Sequence, residues 1–135
     1  MSFDYEEEKC YVCGAKNPEG LKLKFEHIPG GRSKVKVVFE PRHQGYDNIV
    51  HGGIIGAVLD DSMAHAVMAL NILPITTEMK IKFRKPVLVG EEILFEGMVE
   101  KVGRKIIDTS AKAIGPDGDL RVEAEGQFYV GKTVS

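Results

Sequence analysis

The stretch HGGIIGAVLDDSMAHAVMAL, residues 51–70, decides the fold of this chain. Its alanine and methionine content and its lack of an interior proline favour a helix over residues 53–70. The segment is apolar on almost every face, which predicts a buried central helix rather than a surface one. Asp60 and Asp61 interrupt it, and buried carboxylates are costly unless they are paired or serve a function.

Helical spacing puts these two carboxylates on different faces. The face of Asp60 carries small residues that would let another backbone or a ligand approach, namely Gly53, Gly56, Ala57 and Ala64. Asp61 lies four residues before His65, a spacing at which an acid and a base stabilise a helix face. We therefore expect a functional role for Asp60 and a structural one for Asp61.

His51, Gly52 and Gly53 stand at the start of this helix. A helix N-terminus has unpaired N–H groups and a partial positive charge, so Gly53 could stabilise the oxygen of a polarised carbonyl. Gly53 and Asp60 are seven residues apart, which is ~10 Å along one helix. One carbonyl cannot reach both, so we expect each site to combine Gly53 of one chain with Asp60 of a second.

Alternating apolar residues predict strands on both sides of the helix. The predicted strands are residues 21–25, 35–39, 79–83, 93–102, 105–114 and 120–130. The first two are expected to form a hairpin, and four strands joined by short turns follow the helix. This pattern predicts an α+β fold with an antiparallel sheet.

The composition narrows the class of protein. The chain has 135 residues, a formal net charge of −2 and 43% hydrophobic residues, which excludes collagen-like, disordered and strongly nucleic-acid-binding proteins. The N-terminal sequence MSFDYEEEK has no apolar signal region, and no stretch approaches the ~20 apolar residues of a membrane span. We expect a cytoplasmic protein with neither a nucleic-acid nor a membrane partner.

Cys10 and Cys13 form a single C-x-x-C motif. Zinc usually takes four ligands, and a redox pair usually has a βαβ context, so we expect a structural turn that packs the N-terminus. The alternative is a metal site to which two chains of a dimer each contribute a cysteine pair. No metal is expected otherwise, because metal-ligand spacing is absent among the four histidines, His27, His43, His51 and His65.

Taken together, these features resemble the hotdog-fold thioesterases, in particular the phenylacetate-pathway and THEM-type acyl-CoA thioesterases. The resemblance depends on the residues 51–53, on Asp60, on Thr76 and on the sequence FRKP at residues 83–86. The lead-in is similar to that of some members, with Cys10, Cys13, Gly14, Asn17, Pro18, Gly20 and Leu21. The resemblance implies one hotdog domain over residues 1–135. In this domain an irregular lead-in at residues 1–20 precedes about six curved antiparallel strands that wrap one long helix. It also implies a homodimer or a homotetramer built as a dimer of dimers.

The resemblance further implies the catalytic roles. Asp60 would act as general base or nucleophile, and the Gly53 N–H would bind the thioester oxygen. His51 and Thr76 would position substrate or water, with Thr77 as a one-residue alternative to Thr76.

Candidate substrate-binding residues can also be named, although alternatives remain open for several of them. Gly52 would lie beside the thioester, and Gln44 or Asn48 could replace an asparagine that some members carry before the HGG motif. Lys82, Arg84 and Lys85 could bind the phosphates of coenzyme A, or they could form an ordinary solvated strand face.

The expected activity is hydrolysis of an acyl-CoA thioester to a free acid and CoA, with CoA as part of the substrate and no separate cofactor. The alternative is a hotdog module that binds acyl-CoA without turnover. A hotdog dehydratase or hydratase would need a different pattern of histidine and acidic residues.

Overall fold

The computed structural model describes residues 8–130 of the chain. Its elements are β1 Glu26–Ile28, β2 Arg32–Val38, a 3-10 turn Pro41–His43, α1 Gly52–Met68, β3 Thr76–Phe83, β4 Glu92–Val102, β5 Ile106–Ile114 and β6 Leu120–Tyr129. The strands form one antiparallel sheet in the order β1-β2-β4-β5-β6-β3. This is the predicted α+β hotdog architecture of one long helix and a six-stranded sheet.

The sheet curves around α1, which packs against all six strands. Leu59, Met63 and Val67 of the helix are fully buried against the inner face of the sheet. That face supplies Phe95 and Phe128, which are also fully buried. Alternating buried and exposed residues along β2, β4, β5 and β6 show why the period-two pattern predicted these strands correctly.

Helix and sheet approach each other closely at Gly97 in β4. A Cβ atom at this position would collide with the backbone carbonyl of Ser62 in α1. The same carbonyl accepts a 2.5 Å hydrogen bond from the Ser33 hydroxyl of β2. The helix backbone therefore rests directly on the sheet at this point, and only glycine leaves room for it.

The predicted strand at residues 21–25 is wrong. The first strand is β1, Glu26–Ile28, and residues 21–25 are irregular. The amides of Leu21 and Leu23 donate to the carbonyls of Tyr11 and Val12, at 2.8 and 2.9 Å. Because these backbone groups pair with the lead-in rather than with β2, alternation of buried side chains here does not mark a sheet strand.

The helix was predicted at residues 53–70 and is observed at Gly52–Met68. It begins one residue earlier because His51 caps it, and its last turn ends at Ala69. Within residues 8–130, no helix is both long enough and apolar enough to cross a membrane.

A buried ion pair fastens the segment before β4 to β6. The Arg121 side chain is 8% exposed and donates to both Glu91 carboxylate oxygens, at 2.8 and 3.0 Å, and to the Pro86 carbonyl at 2.9 Å. The guanidinium lowers the pKa of Glu91 below its usual value. The stabilisation is therefore present above the unfolded-state pKa of Glu91 and is lost as the pH falls through the folded-state value.

Replacing Glu91 by glutamine is expected to lower the free energy of unfolding by about 2 kcal/mol at pH 7, because a buried guanidinium loses its charged partner. Urea denaturation of the two proteins would measure this difference, which should shrink at acid pH. Glu92→Gln is the matched control, since Glu92 is 60% exposed and only 3.8 Å from an exposed lysine. Equal losses in both variants would contradict the prediction.

Candidate active site

A groove of about 510 Å³ lies between the first half of α1 and strand β3. Its walls are small residues of the helix and apolar residues of the strand, namely Gly52, Gly53, Gly56, Ala57, Asp60, Met79, Ile81 and Phe83. The small helix face predicted from the spacing of Gly53, Gly56 and Ala57 is therefore the face that borders this groove. Asp60 is the one carboxylate among these lining residues.

Asp60 is held by Thr76. The Thr76 hydroxyl donates a 2.8 Å hydrogen bond to Asp60 Oδ1. Burial raises the pKa of Asp60 above its usual value, and the negative charge of Asp61 raises it further, whereas the Thr76 hydrogen bond opposes both effects. The site therefore contains an oriented carboxylate that is more basic than an exposed aspartate.

The structure distinguishes Thr76 from Thr77. Thr77 donates through its hydroxyl to the Gln127 carbonyl at 3.1 Å, so it is engaged with the backbone of β6. A β-bulge between Thr76 and Glu78 shifts the register of β3 against β6. Bulges re-aim side chains, and here Thr76 rather than Thr77 faces the helix carboxylate.

His51 caps the helix that carries Asp60. Its Nδ1 accepts a 2.9 Å hydrogen bond from the Gly53 N–H. The imidazole nitrogen thus occupies the position that a carbonyl oxygen would need in order to accept a hydrogen bond from the same N–H. The sequence placed His51 and Gly53 together at the helix start, but it gave no sign that one would bind the other.

A second cavity, of about 660 Å³, adjoins the groove. It is lined by Gly45, Tyr46, Ile49, Val50, His51, Gly52, Ile55, Phe83, Arg84, Lys85, Pro86 and Val87. Gly52 and Phe83 border both spaces, so a ligand could extend from one to the other. Sequence reasoning missed the apolar wall of Tyr46, Ile49 and Val87, because these residues lie in loops without a period.

The predicted basic residues divide between two faces. Arg84 and Lys85 line the second cavity, where each also pairs with a carboxylate: Arg84 with Glu123 at 3.1 Å and Lys85 with Asp119 at 2.5 Å. Lys82 lies on the opposite face of β3 from the groove, because side chains alternate along a strand.

Gln44 and Asn48 belong to the loop that precedes the helix. The Gln44 side chain accepts a 2.9 Å hydrogen bond from the Asn48 amide, and Asn48 has a positive φ of 65°. Neither residue is among those that line the groove or the second cavity. Their contacts shape the loop that carries His51.

Asp61 faces another part of the molecule. Its carboxylate lies 3.5 Å from His65 Nε2 and 3.9 Å from the Cys10 sulfur. The separation of Asp60 from Asp61 expected from helical spacing is therefore present.

The family profile of the thioesterase superfamily matches residues 47–122. This segment contains the whole of α1 together with the Asp60–Thr76 pair. The chain belongs to the thioesterase superfamily.

Individual relatives agree with this family. A protein of Archaeoglobus fulgidus that carries the provisional name of an esterase is 31% identical over 82% of this chain and 72% of its own length. A crystal structure of a thioesterase superfamily protein superposes with a TM-score of 0.85 at 23% identity and covers 90% of this chain. This chain spans 60% of that protein's length.

A thioesterase-like protein of Streptococcus pneumoniae, solved with coenzyme A, has a TM-score of 0.79 at 18% identity. The alignment covers 84% of this chain and 88% of that one. At this identity the similarity supports the hotdog fold.

Proposed function

We propose that this protein hydrolyses an acyl-CoA thioester to the free acid and CoA, with Asp60 as the catalytic carboxylate. The observation that carries the proposal is the Asp60 side chain, oriented by Thr76 and raised in pKa, in a groove beside the N-terminus of α1. Family membership supports thioester hydrolysis in general. Acyl-CoA is favoured because the similar Streptococcus pneumoniae protein was solved with coenzyme A.

The spacing of the two site residues gives further support. Structures of that Streptococcus pneumoniae protein exist with an aspartate and, separately, a threonine changed to alanine, at positions sixteen residues apart. Asp60 and Thr76 are also sixteen residues apart. We infer that the pair forms the reactive end of the site.

In the proposed reaction, Asp60 takes a proton from water as the water oxygen attacks the carbonyl carbon. The carbonyl oxygen becomes an oxyanion, the C–S bond breaks, and CoA leaves as a thiolate that is then protonated. In the second route, Asp60 attacks the carbonyl carbon directly, the C–S bond breaks and CoA leaves as a thiolate; water then hydrolyses the resulting acyl-enzyme anhydride to the free acid and the Asp60 carboxylate. Neither route needs a separate cofactor.

The oxyanion would bind the N–H groups at the start of α1. The Gly53 N–H is engaged with His51 Nδ1, so a substrate oxygen takes this donor when the imidazole turns away. His51 would then keep the donor oriented until substrate arrives and would remain close enough to position it. The adjoining Gly52 would leave room for the thioester.

The coenzyme A moiety would occupy the second cavity. Its apolar walls suit the pantetheine arm, and Arg84 and Lys85 at its edge suit the phosphates. Lys82 would contribute only if the nucleotide wraps around the edge of β3. Gln44, Asn48 and Thr77 would act indirectly, by fixing the loop before His51 and the β3 bulge.

The proposed active unit is a homodimer or a dimer of dimers, with sites at the interface. Strand β3 is an edge strand, and its Met79 and Phe83 side chains are 37% and 54% exposed. An exposed apolar edge beside the groove suits a second copy of the chain. That copy would bring its own Asp60 opposite Gly53.

A panel of acyl-CoA substrates, with release of free thiol as the readout, tests the activity. We expect turnover of CoA thioesters and much slower hydrolysis of the matching oxygen esters. Acyl thioesters of N-acetylcysteamine, which lack the nucleotide, should show a higher KM and a similar kcat. Tight binding of acyl-CoA without thiol release would instead favour the non-catalytic binding module.

Mixed dimers test whether each site combines two chains. Gly53→Pro removes the N–H donor at a helix start where proline is tolerated, and Asp60→Asn removes the base. Each variant alone should be inactive, but random mixing after dissociation should restore about a quarter of the parental activity, because half the dimers carry one intact site.

The control mixes Asp60→Asn with Thr76→Val. These two residues contact each other within one chain, so in a mixed dimer each site would carry one of the two changes and neither site would be intact. The activity of this control mixture should therefore not exceed the average of the two unmixed variants. Failure of the Gly53→Pro mixture to recover any activity, in dimers shown to have exchanged subunits, would contradict a shared site.

A further inference from the structure

Cys10, Cys13 and Asp61 come together on a face of α1 that the proposed reaction does not use. Their potential ligand atoms all lie within 4.8 Å of one another, and Cys10 Sγ is 3.9 Å from Asp61 Oδ1. A tetrahedral zinc ion with sulfur and oxygen ligands separates those ligands by ~3.5–3.8 Å. A small contraction would therefore bring these atoms to bonding distance.

The turn that carries the two cysteines is preformed. The Gly14 N–H donates a 2.9 Å hydrogen bond to the Cys10 carbonyl, and a Cβ at Gly14 would collide with the backbone of Cys10 and Glu8. Both thiols therefore project from one tight turn. Val12, in the middle of that turn, is 5% exposed and packs into the core, which fixes the turn against the helix.

His65 supplies an observation independent of the cysteines. Its side chain is 6% exposed, and its Nε2 lies 3.5 Å from Asp61 Oδ2. Both atoms are buried without a hydrogen-bond partner among residues 8–130. On the other side of the ring, His65 Nδ1 lies 2.7 Å from His27 Nε2. In the tautomer with the proton on His65 Nδ1, this proton is donated to His27, the Nε2 lone pair faces the carboxylate oxygen, and a cation between these two atoms would pair both of them.

We propose that Cys10, Cys13 and Asp61 bind one zinc ion, which fastens the lead-in to the central helix, and that His65, which lies beside Asp61 but outside the 4.8 Å cluster of the other three, moves in as the fourth ligand. Thiolate, imidazole and carboxylate are all zinc ligands, and four of them complete a tetrahedral structural site. His27 would orient the His65 ring through the nitrogen that does not bind metal. All four ligands belong to one chain, so the site does not need the pooled cysteine pairs of a dimer.

A disulfide between the two cysteines is the competing outcome. The two sulfur atoms lie within 4.8 Å of each other on one turn, which suits either metal binding or thiol oxidation. The Asp61 carboxylate beside Cys10 favours the metal, because a carboxylate is a zinc ligand and takes no part in a disulfide.

The test is metal analysis of the full chain, purified reduced and without a histidine tag. We expect about one zinc per chain after loading with zinc and gel filtration. Cys10→Ser and Asp61→Asn should each lose most of it. Asp108→Asn, which removes a carboxylate on the exposed side of β5, should retain it.

Cobalt replacement makes the result independent of how well the variants fold. Cobalt added to the chelated parent protein should give thiolate-to-cobalt charge-transfer absorption and the d–d bands of a tetrahedral ion. Zinc should also raise the melting temperature of the parent and leave that of Cys10→Ser unchanged. The proposal would be overturned if the reduced parent chain bound neither zinc nor cobalt. It would also be overturned if the protein were recovered with a Cys10–Cys13 disulfide, which mass spectrometry would detect as a loss of two hydrogen atoms. An unchanged zinc content in His65→Ala would contradict the assignment of His65 as the fourth ligand.

Discussion

Asp60→Asn is expected to lower kcat for acyl-CoA hydrolysis at least ~100-fold, the loss typical of removing a general base. Asparagine keeps the size of the side chain and can still accept the Thr76 hydrogen bond of 2.8 Å, so the geometry of the groove should persist. What it loses is the ability to take a proton from water or to attack the carbonyl carbon. Thiol-release kinetics at saturating acyl-CoA would measure the effect, and an unchanged kcat would contradict the assignment.

The same variant should be more stable than the parent at neutral pH. Burial raises the pKa of Asp60, so the folded protein binds its proton more tightly than the unfolded chain does. Above both pKa values the charged, partly buried carboxylate therefore destabilises the fold, and this penalty disappears as the pH falls through the folded-state value. A higher melting temperature for Asp60→Asn at pH 7, combined with low activity, would separate loss of chemistry from loss of folding.

Thr76 provides a matched pair of controls for this carboxylate. Thr76→Val removes the hydrogen bond that lowers the pKa of Asp60, so the acid limb of the kcat/KM profile should move to higher pH. Thr76→Ser keeps a hydroxyl and should leave that limb close to the parental position. A limb that does not move in Thr76→Val would show that a group other than Asp60 controls it.

Gly97→Ala is expected to lower the free energy of unfolding by about 3 kcal/mol or more, because overpacking here forces the backbone itself to move. A Cβ at Gly97 meets the Ser62 carbonyl rather than a side chain that could rotate. Moving the helix away would also stretch the 2.5 Å hydrogen bond from Ser33 to that carbonyl. Urea denaturation monitored by circular dichroism would measure the loss.

Gly56→Ala is the control for this prediction. A Cβ at Gly56 would lie 3.1 Å from the terminal Cδ1 atom of Ile81, which can shift by rotation. Alanine also improves the propensity of a helix interior by about 1 kcal/mol, so the net change in stability should be small. Equal destabilisation by the two substitutions would show that α1 and the sheet do not meet at Gly97 as closely as described.

Local sequence patterns were enough to predict much of the fold and part of the candidate site. The helix and five of the six predicted strands follow from periodicity within short segments, whereas the role of Thr76 beside the helix carboxylate followed only from the resemblance to the hotdog thioesterases. The strand predicted at residues 21–25 failed because its amides pair with the lead-in, a contact between segments that alternation cannot detect. The approach of Cys10 to Asp61 joins residues 51 positions apart and depends on how the lead-in folds over α1. The hydrogen bond from Gly53 to His51 depends on a side-chain rotamer, which the sequence does not specify.

The exposed edge of β3 also bears on how the protein must be made. Its outer face carries Lys80 and Lys82, positive charges of the kind that discourage edge-to-edge aggregation, while its inner face carries apolar side chains. Under the proposed dimer, a newly synthesised chain keeps this strand uncovered until it meets another copy. The yield of correctly assembled dimer would then depend on the rate of synthesis. At a low concentration each chain waits longer for a partner, and at a high concentration the uncovered strands associate non-specifically more often. During that interval, the two lysines would disfavour aggregation through this strand.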